Sequence, residues 1–518
     1  MNTPLRVLRL AVVGHTNTGK TSLLRTLTRD PAFGEVLDRP GTTRHVEGVR
    51  LLIEGSTAIE LFDTPGMEDG MALLDYLDTL AAPGARLDGP ARIQRFLDSP
   101  ESMRRFEQEA RVLRKLLECD AGLYVVDARD PVLAKHRDEL AVLASCGHPL
   151  LPVLNFTHSP DHRIDEWRSA LARLGLHAIV EFDTIAPPLD GEDQLYDKLA
   201  LLLDSHAPTL RALRRDIAEQ RRRRRLDGLS LVAEMLMDIA ALRLSSPPDD
   251  AALQEAAEQL RRLARQREQQ CIDALLKRYN FRPADFPAHA LPLRGERWDM
   301  DLFHPQALKE MGIHLGKGMA AGAMAGATLD MFTAGISLGA ATLLGAAAGG
   351  LWQGADKLGR RLLGRLRGFQ ELTVDDAVLR LLAMRELALI AALERRGHAA
   401  QGPIELTELI AGKADSLRKE RLPEDLLEAR ASPEWSTLTE HYQPTARRAQ
   451  AVKRLAAELD ELGHPRVPAD SWVPSESERH AGREVDEPGL GTVPAHCSKP
   501  GESEPHAGGE VESCRTKK

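Results

Sequence analysis

Two patterns of apolar and polar positions divide the chain. Over residues 5–206, short apolar runs alternate with segments of helical spacing. The runs are Val7–Val13, Val46–Ile53, Ile59–Phe62, Gly122–Val126, Pro149–Leu154 and Ala178–Phe182, and the helical segments include Lys20–Thr28, Val132–Ala144, Glu166–Leu174 and Asp193–Asp204. This βα alternation predicts a mostly parallel sheet with helices on both faces. Met67–Asp120 is long for one crossover and carries helical spacing at Ile93–Leu97 and Met103–Leu117, so extra helices are expected there.

From 207 to 280 the pattern becomes two long charged helices, broken at Ser245-Ser246-Pro247-Pro248. The first contains a run of arginines, Arg221–Arg225, expected as a solvated face, with RNA or lipid phosphate binding the lesser alternative. Asp375–Arg396, Pro403–Arg430 and Ala446–Leu462 also read as mostly helical. From about Pro468 the chain is polar, rich in Pro, Gly, Ser and Glu, and without period, so a disordered tail is expected. That tail repeats itself: Glu476–Val485 resembles Glu502–Val511. The expected division is an α/β domain over 1–206, a charged helical region over 207–300, a Gly/Ala-rich hydrophobic hairpin with a basic helix over 301–369, a helical region over 370–467 and the tail over 468–518.

Composition narrows the classes. Among 518 residues only 11 Phe, 5 Trp and 5 Tyr occur, so the cores must be built mainly from Leu, Val and Ala. The net charge of −9 gives no reason to expect a nucleic-acid partner. The five cysteines are widely spread, which argues against a disulfide scaffold or a zinc ribbon. No signal-peptide pattern precedes the first strand.

The strongest chemical signal is Gly14-His15-Thr16-Asn17-Thr18-Gly19-Lys20-Thr21-Ser22, between a strand pattern and a helix pattern. Glycines let such a loop turn its N–H groups inward, and the helix N-terminus adds positive potential where phosphates would sit. Lys20 can reach the β- and γ-phosphates, and the Thr21 hydroxyl can hold Mg²⁺. Asp63-Thr64-Pro65-Gly66 ends the strand Ile59–Phe62. Asp63 can hold Mg²⁺ through water, and the Gly66 N–H can contact a γ-phosphate. In the loop Pro40-Gly41-Thr42-Thr43-Arg44, Thr43 is the favoured Mg²⁺ ligand and γ-phosphate sensor, with Thr42 the alternative.

With these motifs, residues 5–206 resemble the bacterial Era/TrmE-like branch of the translation-factor-type GTPases. Val125-Val126-Asp127-Ala128-Arg129-Asp130-Pro131 extends the resemblance. The whole chain is similar to a bacterial family in which such a domain precedes domain of unknown function 3482, on overall layout and on Val153-Leu154-Asn155-Phe156-Thr157. The resemblance implies an α/β P-loop GTPase domain followed by a mostly α-helical region. It implies GTP and GDP as ligands, Mg²⁺ as cofactor, a protein effector, and a switch that hydrolyses GTP slowly. The catalytic group would be Lys20, Thr43, Gly66 and Asn17, and Asn155 would serve the base.

Three departures stand out. The family reads guanine with Asn-Lys-x-Asp, whereas this chain has Asn155-Phe156-Thr157-His158. Phe156 could stack on a base, but His158 removes the acceptor for guanine N1 and N2; Asp161, three residues on, could swing in. Base specificity therefore stays open. Asp183-Thr184 stands where the family has a Ser-Ala turn. Met67 follows Gly66 where Ras-like enzymes place a water-orienting glutamine. Some relatives compensate with K⁺ held partly by a phosphate-loop asparagine, and Asn17 occupies that position. Two readings of Asn17 stay open, a K⁺ ligand or a stabiliser of its own loop.

Gly318–Leu351 contains one charged residue, Asp330, and its glycines recur at four-residue spacing. Met331–Leu351 is long enough to span a bilayer but only moderately hydrophobic. A single span would export Lys357, Arg360, Arg361, Arg365 and Arg367 against the positive-inside tendency. A shallow re-entrant hairpin fits better, beside a helix carrying Leu358, Leu362, Leu366 and Phe369 next to basic residues. One expectation is thus contact of 318–369 with the anionic inner face of the cytoplasmic membrane; the other is a Gly/Ala helical hairpin packed inside a soluble domain. A nucleotide-binding scaffold with little hydrolysis and an RNA- or ribosome-associated GTPase are the competing functions.

Overall fold

The computed structural model describes residues 6–30, 33, 47–80, 87–286, 336–338, 369–400, 404 and 422–463, which all fall in one compact unit, Met1–Pro465. The expectations for Gly41–Arg44, for 318–369 apart from 336–338 and 369, for 405–421 and for the tail 468–518 lie outside these residues.

The first half is the expected α/β domain. Its strands are β1 (Leu8–Val13), β2 (Glu47–Ile53), β3 (Ser56–Asp63), β4 (Ala121–Asp127), β5 (Leu150–Asn155) and β6 (Val180–Glu181). They form one sheet in the order β2-β3-β1-β4-β5-β6, in which only the β2–β3 pair is antiparallel. Side chains alternate across this sheet as the period of two requires. Leu8, Leu10 and Val12 of β1 pack in one core with α1 (Lys20–Thr28) and α7 (Gly191–Leu202). Ala11 and Val13 pack in the other, with α2 (Gly70–Thr79), α3 (Gly89–Leu97), α4 (Glu107–Leu117), α5 (Ala134–Ala144) and α6 (Ile164–Arg173). The extra helices expected over Met67–Asp120 are α2, α3 and α4.

The second half is built on α8 (Ala207–Ala241), a helix of 35 residues. Its start lends Leu210, Leu213 and Ile217 to the α/β core, and its end lends Leu229–Ala241 to a separate helical core. That core also takes residues from α9 (Asp250–Arg278), α10 (Asp376–Arg395), α11 (Glu424–Ala431) and α12 (Ala446–Gly463). Buried Asp238 ties it together, accepting from Arg267 Nε at 2.7 Å, Arg448 Nη2 at 2.8 Å and the Thr437 N–H at 3.1 Å.

Three sequence expectations need correction. The break at Ser245–Pro248 contains a strand, β7 (Arg243–Ser246), in an antiparallel sheet β7-β9-β8 with β9 (Gln370–Val374) and β8 (Ile336–Leu338). Within the segment expected as a Gly/Ala helical hairpin, the described residues Ile336–Leu338 are a strand, hydrogen-bonded to β9. The arginine run is also more than a solvated face: Arg222 and Arg223 are exposed, but Arg225 pairs with Glu394 at 2.9 Å and Asp460 at 2.7 Å.

Candidate functional site

The phosphate loop leaves β1 at Gly14 and enters α1 at Lys20, so its backbone N–H groups and the α1 dipole face one place. Asn17 is exposed at φ +65°. Gly19, at φ +91°, has no room for a side chain because the amide of Asn155 and the ring of Phe156 crowd it.

Lys20 is buried, and its Nζ donates to the carbonyls of His15 at 2.6 Å and Gly14 at 3.0 Å. Burial lowers its pKa, while the carboxylates of Asp63, Glu139 and Glu68 act the other way. The Thr21 hydroxyl donates to Asp63 Oδ2 at 2.5 Å. Asp63 is buried, which raises its pKa, and its Oδ1 finds no hydrogen-bond partner among the described residues. A hydroxyl beside an unsatisfied carboxylate oxygen is the hard oxygen donor set that Mg²⁺ takes. Thr21 and Asp63 thus fit the ion; Thr43 lies outside the described residues.

The turn after Asp63 lies directly on the phosphate loop. Thr64 donates its hydroxyl to the Val12 carbonyl at 2.7 Å, and the Met67 N–H donates to the Gly14 carbonyl at 3.3 Å. A Cβ on Gly66 would stand 2.7 Å from Thr16 Cα. Glu109 of α4 accepts the N–H groups of Glu68 at 3.2 Å and Asp69 at 3.1 Å, anchoring the start of α2.

Sequence reasoning missed the groups behind the loop. Glu139 of α5 is buried beside Lys20, with Tyr124 Oη donating to its Oε2 at 3.5 Å and its Oε1 unpartnered among the described residues. Burial raises it to about 8 against the pull of Lys20. His15 lies between α5 groups, 3.0 Å from Lys135 Nζ and 3.9 Å from Glu139, and burial lowers its pKa. The available signal was a charged residue on the stripe His136, Glu139, Leu140, Leu143 that α5 buries.

On the base side, Asn155 is fully buried. Its Nδ2 donates to the Thr18 carbonyl at 3.0 Å, and its Oδ1 accepts the N–H groups of Phe156 at 2.8 Å and Thr184 at 2.9 Å. The Arg129 guanidinium sits 4.0 Å from the centre of the Phe156 ring and is clamped by Asp127 at 2.9 and 2.6 Å. This pairing supplies a flat surface, its charge balanced by Asp127, on which a base can stack. Asp161 is exposed, and the carboxylate beside position 158 is Asp183. Asp183 accepts the N–H of His158 at 3.0 Å on one oxygen, and those of Ile185 at 2.9 Å and Ala186 at 3.1 Å on the other. It shapes the loop that stands in for the Ser-Ala turn.

Comparison with known families matches residues 168–457, more than half of the chain, to the family described as Domain of unknown function (DUF3482), and residues 9–156 to the family described as 50S ribosome-binding GTPase. Among solved structures, a variant of Aquifex aeolicus Era bound to GDP and AlF4⁻ is 18% identical, with 48% of this chain and 75% of that one covered and a TM-score of 0.27. The G domain of the T. maritima FeoB iron transporter is 19% identical, covering 38% of this chain and 99% of that one, with a TM-score of 0.23. The bacterial selenocysteine-specific elongation factor EF-Sec is 16% identical, covering 38% and 29%, with a TM-score of 0.24. No match was found among curated proteins. Among the described residues, no helix is long and apolar enough to cross a membrane.

Proposed function

This chain belongs to the DUF3482 family and carries a P-loop GTPase domain ahead of that region, and from this we propose that it is a molecular switch that binds GTP and hydrolyses it slowly to GDP and phosphate. The observation that carries the proposal is the pair Thr21–Asp63, closed at 2.5 Å across the mouth of the phosphate loop with Asp63 Oδ1 left unsatisfied.

The chain's own groups divide the work. Lys20 exchanges its two loop carbonyls for phosphate oxygens, so a buried cation gains charged partners. Gly66 and Thr43 sense the γ-phosphate: Gly66 is already against Thr16, and arrival or loss of that phosphate changes what its N–H meets. Thr21, Thr43 and Asp63 would hold Mg²⁺, which when bound neutralises charge on the phosphate oxygens. Met67 is buried and offers no group to orient water, which supports slow turnover. Asn17 is proposed to hold K⁺ as a compensating cofactor.

The helical domain is proposed to pass the nucleotide state to a protein effector. Contact of 318–369 with anionic lipid on the cytoplasmic side is a further part of the proposal, supported by the basic, Leu-lined stretch Lys357–Phe369. The domain division proposed from the sequence goes with it. The test is GTP turnover by the full chain and by Lys20→Ala: phosphate release that disappears in the variant supports the switch. Tight binding without turnover in the wild type would favour the scaffold reading, which buried Met67 keeps open.

A further inference from the structure

The helical domain touches the nucleotide site at a point remote from the phosphate loop. After α10 the chain turns at Gly397, whose N–H donates to the Ile185 carbonyl at 2.8 Å. A Cβ at Gly397 would stand 2.8 Å from the Thr184 carbonyl carbon and overlap its oxygen, so the backbones pack without a side chain between them. Thr184 is fully buried, and its carbonyl also accepts the Thr26 hydroxyl of α1 at 3.0 Å. Its N–H holds Asn155 Oδ1 at 2.9 Å, and Asn155 Nδ2 holds the Thr18 carbonyl at 3.0 Å. An unbroken run of packed and hydrogen-bonded groups therefore leads from Gly397 through Thr184 and Asn155 to the phosphate loop.

A second contact flanks the first. Asn280, just after α9, donates its Nδ2 to the Arg29 carbonyl at the end of α1, at 3.2 Å. His398 stacks on Phe281, with centroids 4.4 Å apart and planes at 12°, and its Nε2 meets the Tyr279 carbonyl at 3.1 Å. Helix α1 thus has the phosphate loop at one end and the helical domain at the other.

We propose that Gly397 is a positioning residue for the nucleotide: the Gly397 turn, backed by the Asn280–Arg29 bond and by His398 stacked on Phe281, holds Thr184 and Asn155 in the arrangement that retains guanine nucleotide, and loosening it speeds release. The proposal rests on the GTP-binding reading given above. The helical domain acts first on the base half of the site, at Thr184 and Asn155, and reaches the phosphate loop only beyond them, at the Thr18 carbonyl. Gly397→Ala forces the Thr184 loop to move. Asn280→Ala with His398→Ala removes these two supporting contacts without adding an atom at Thr184.

The experiment measures release of fluorescent GDP from the full chain by stopped flow, with inorganic tripolyphosphate as a competitor that lacks a base. Gly397→Ala is expected to release GDP about tenfold faster, equivalent to about 1.4 kcal/mol. Because a steric variant can fail to fold, the double variant is the second arm, with release expected to rise several-fold. In both variants tripolyphosphate affinity is expected to match the wild type. Wild-type release rates in either folded variant would overturn the proposal, as would an equal loss of tripolyphosphate affinity, which marks general loosening. A wild type that binds tripolyphosphate but not GDP would overturn the guanine-nucleotide reading, and this proposal with it.

Discussion

Asn155 offers the sharpest test of how the site is built. The side chain is fully buried and makes three hydrogen bonds, to the Thr18 carbonyl, the Phe156 N–H and the Thr184 N–H. Asn155→Ala removes them together and strands three backbone groups, two of them belonging to the buried residues Thr18 and Thr184. A net hydrogen bond contributes about 1 kcal/mol and a stranded buried partner costs about 1–3 kcal/mol, so the expected loss is about 3–5 kcal/mol. Asn155→Asp keeps the shape but turns the Nδ2 donor into an oxygen facing the Thr18 carbonyl. It also buries a charge. This variant is expected to be at least as unstable as the alanine at neutral pH, and to regain stability in acid, where the carboxyl is protonated and donates again. The assay is urea unfolding, with the midpoint falling at constant slope. An alanine variant that loses less than about 1 kcal/mol would refute the reasoning, because this residue would then not join the loop to the base side.

Other expectations follow from single contacts. Asp238→Ala strands Arg267 and Arg448 in the helical core and is expected to cost about 3–5 kcal/mol; a urea midpoint near that of the wild type would count against the buried network. Glu139, raised from 4.5 to about 8, contributes stability that is complete below 4.5 and lost as pH rises through 8. Glu139→Gln should therefore melt with the wild type in acid and progressively above it between those values, and a gap that stays constant with pH would contradict the assignment. GTP turnover is expected to run several-fold faster in KCl than in NaCl and to lose that preference in Asn17→Ala; equal wild-type rates in both salts would remove K⁺ from the proposal.

The α/β half was legible because each of its signals is local. β1 and β4 read as apolar runs because both their faces are buried, and the predicted Lys20–Thr28 is the observed α1 to the residue. The phosphate loop and the Asp63 turn were legible because few residue types serve at each position. What escaped depends on distance in sequence. Glu139 and Asp183 acquire their roles only when α5 and the β6 loop come against Lys20 and His158. Strands β7, β8 and β9 are too short, at 4, 3 and 5 residues, for a period to register.

The arginine run shows why a helix read by period alone can mislead. Helix α8 is about 50 Å long at 1.5 Å per residue, and it buries different faces in different cores at its two ends. Arg221–Arg225 falls between those cores. Arg225 binds Glu394 and Asp460 of the helical domain, while Arg221 donates to the Leu189 carbonyl of the α/β domain at 2.5 Å. The run is therefore a joint, and the two halves of the chain are connected there by one continuous helix and again at Gly397 and Asn280. A sharp kink in an unbroken helix would break its internal hydrogen bonds, whereas parting the halves at Gly397 costs only the Gly397–Ile185 and Asn280–Arg29 hydrogen bonds and some packing. Motion between the halves should therefore be taken up at Gly397, which places the weakest part of the connection directly against the loop that holds Asn155.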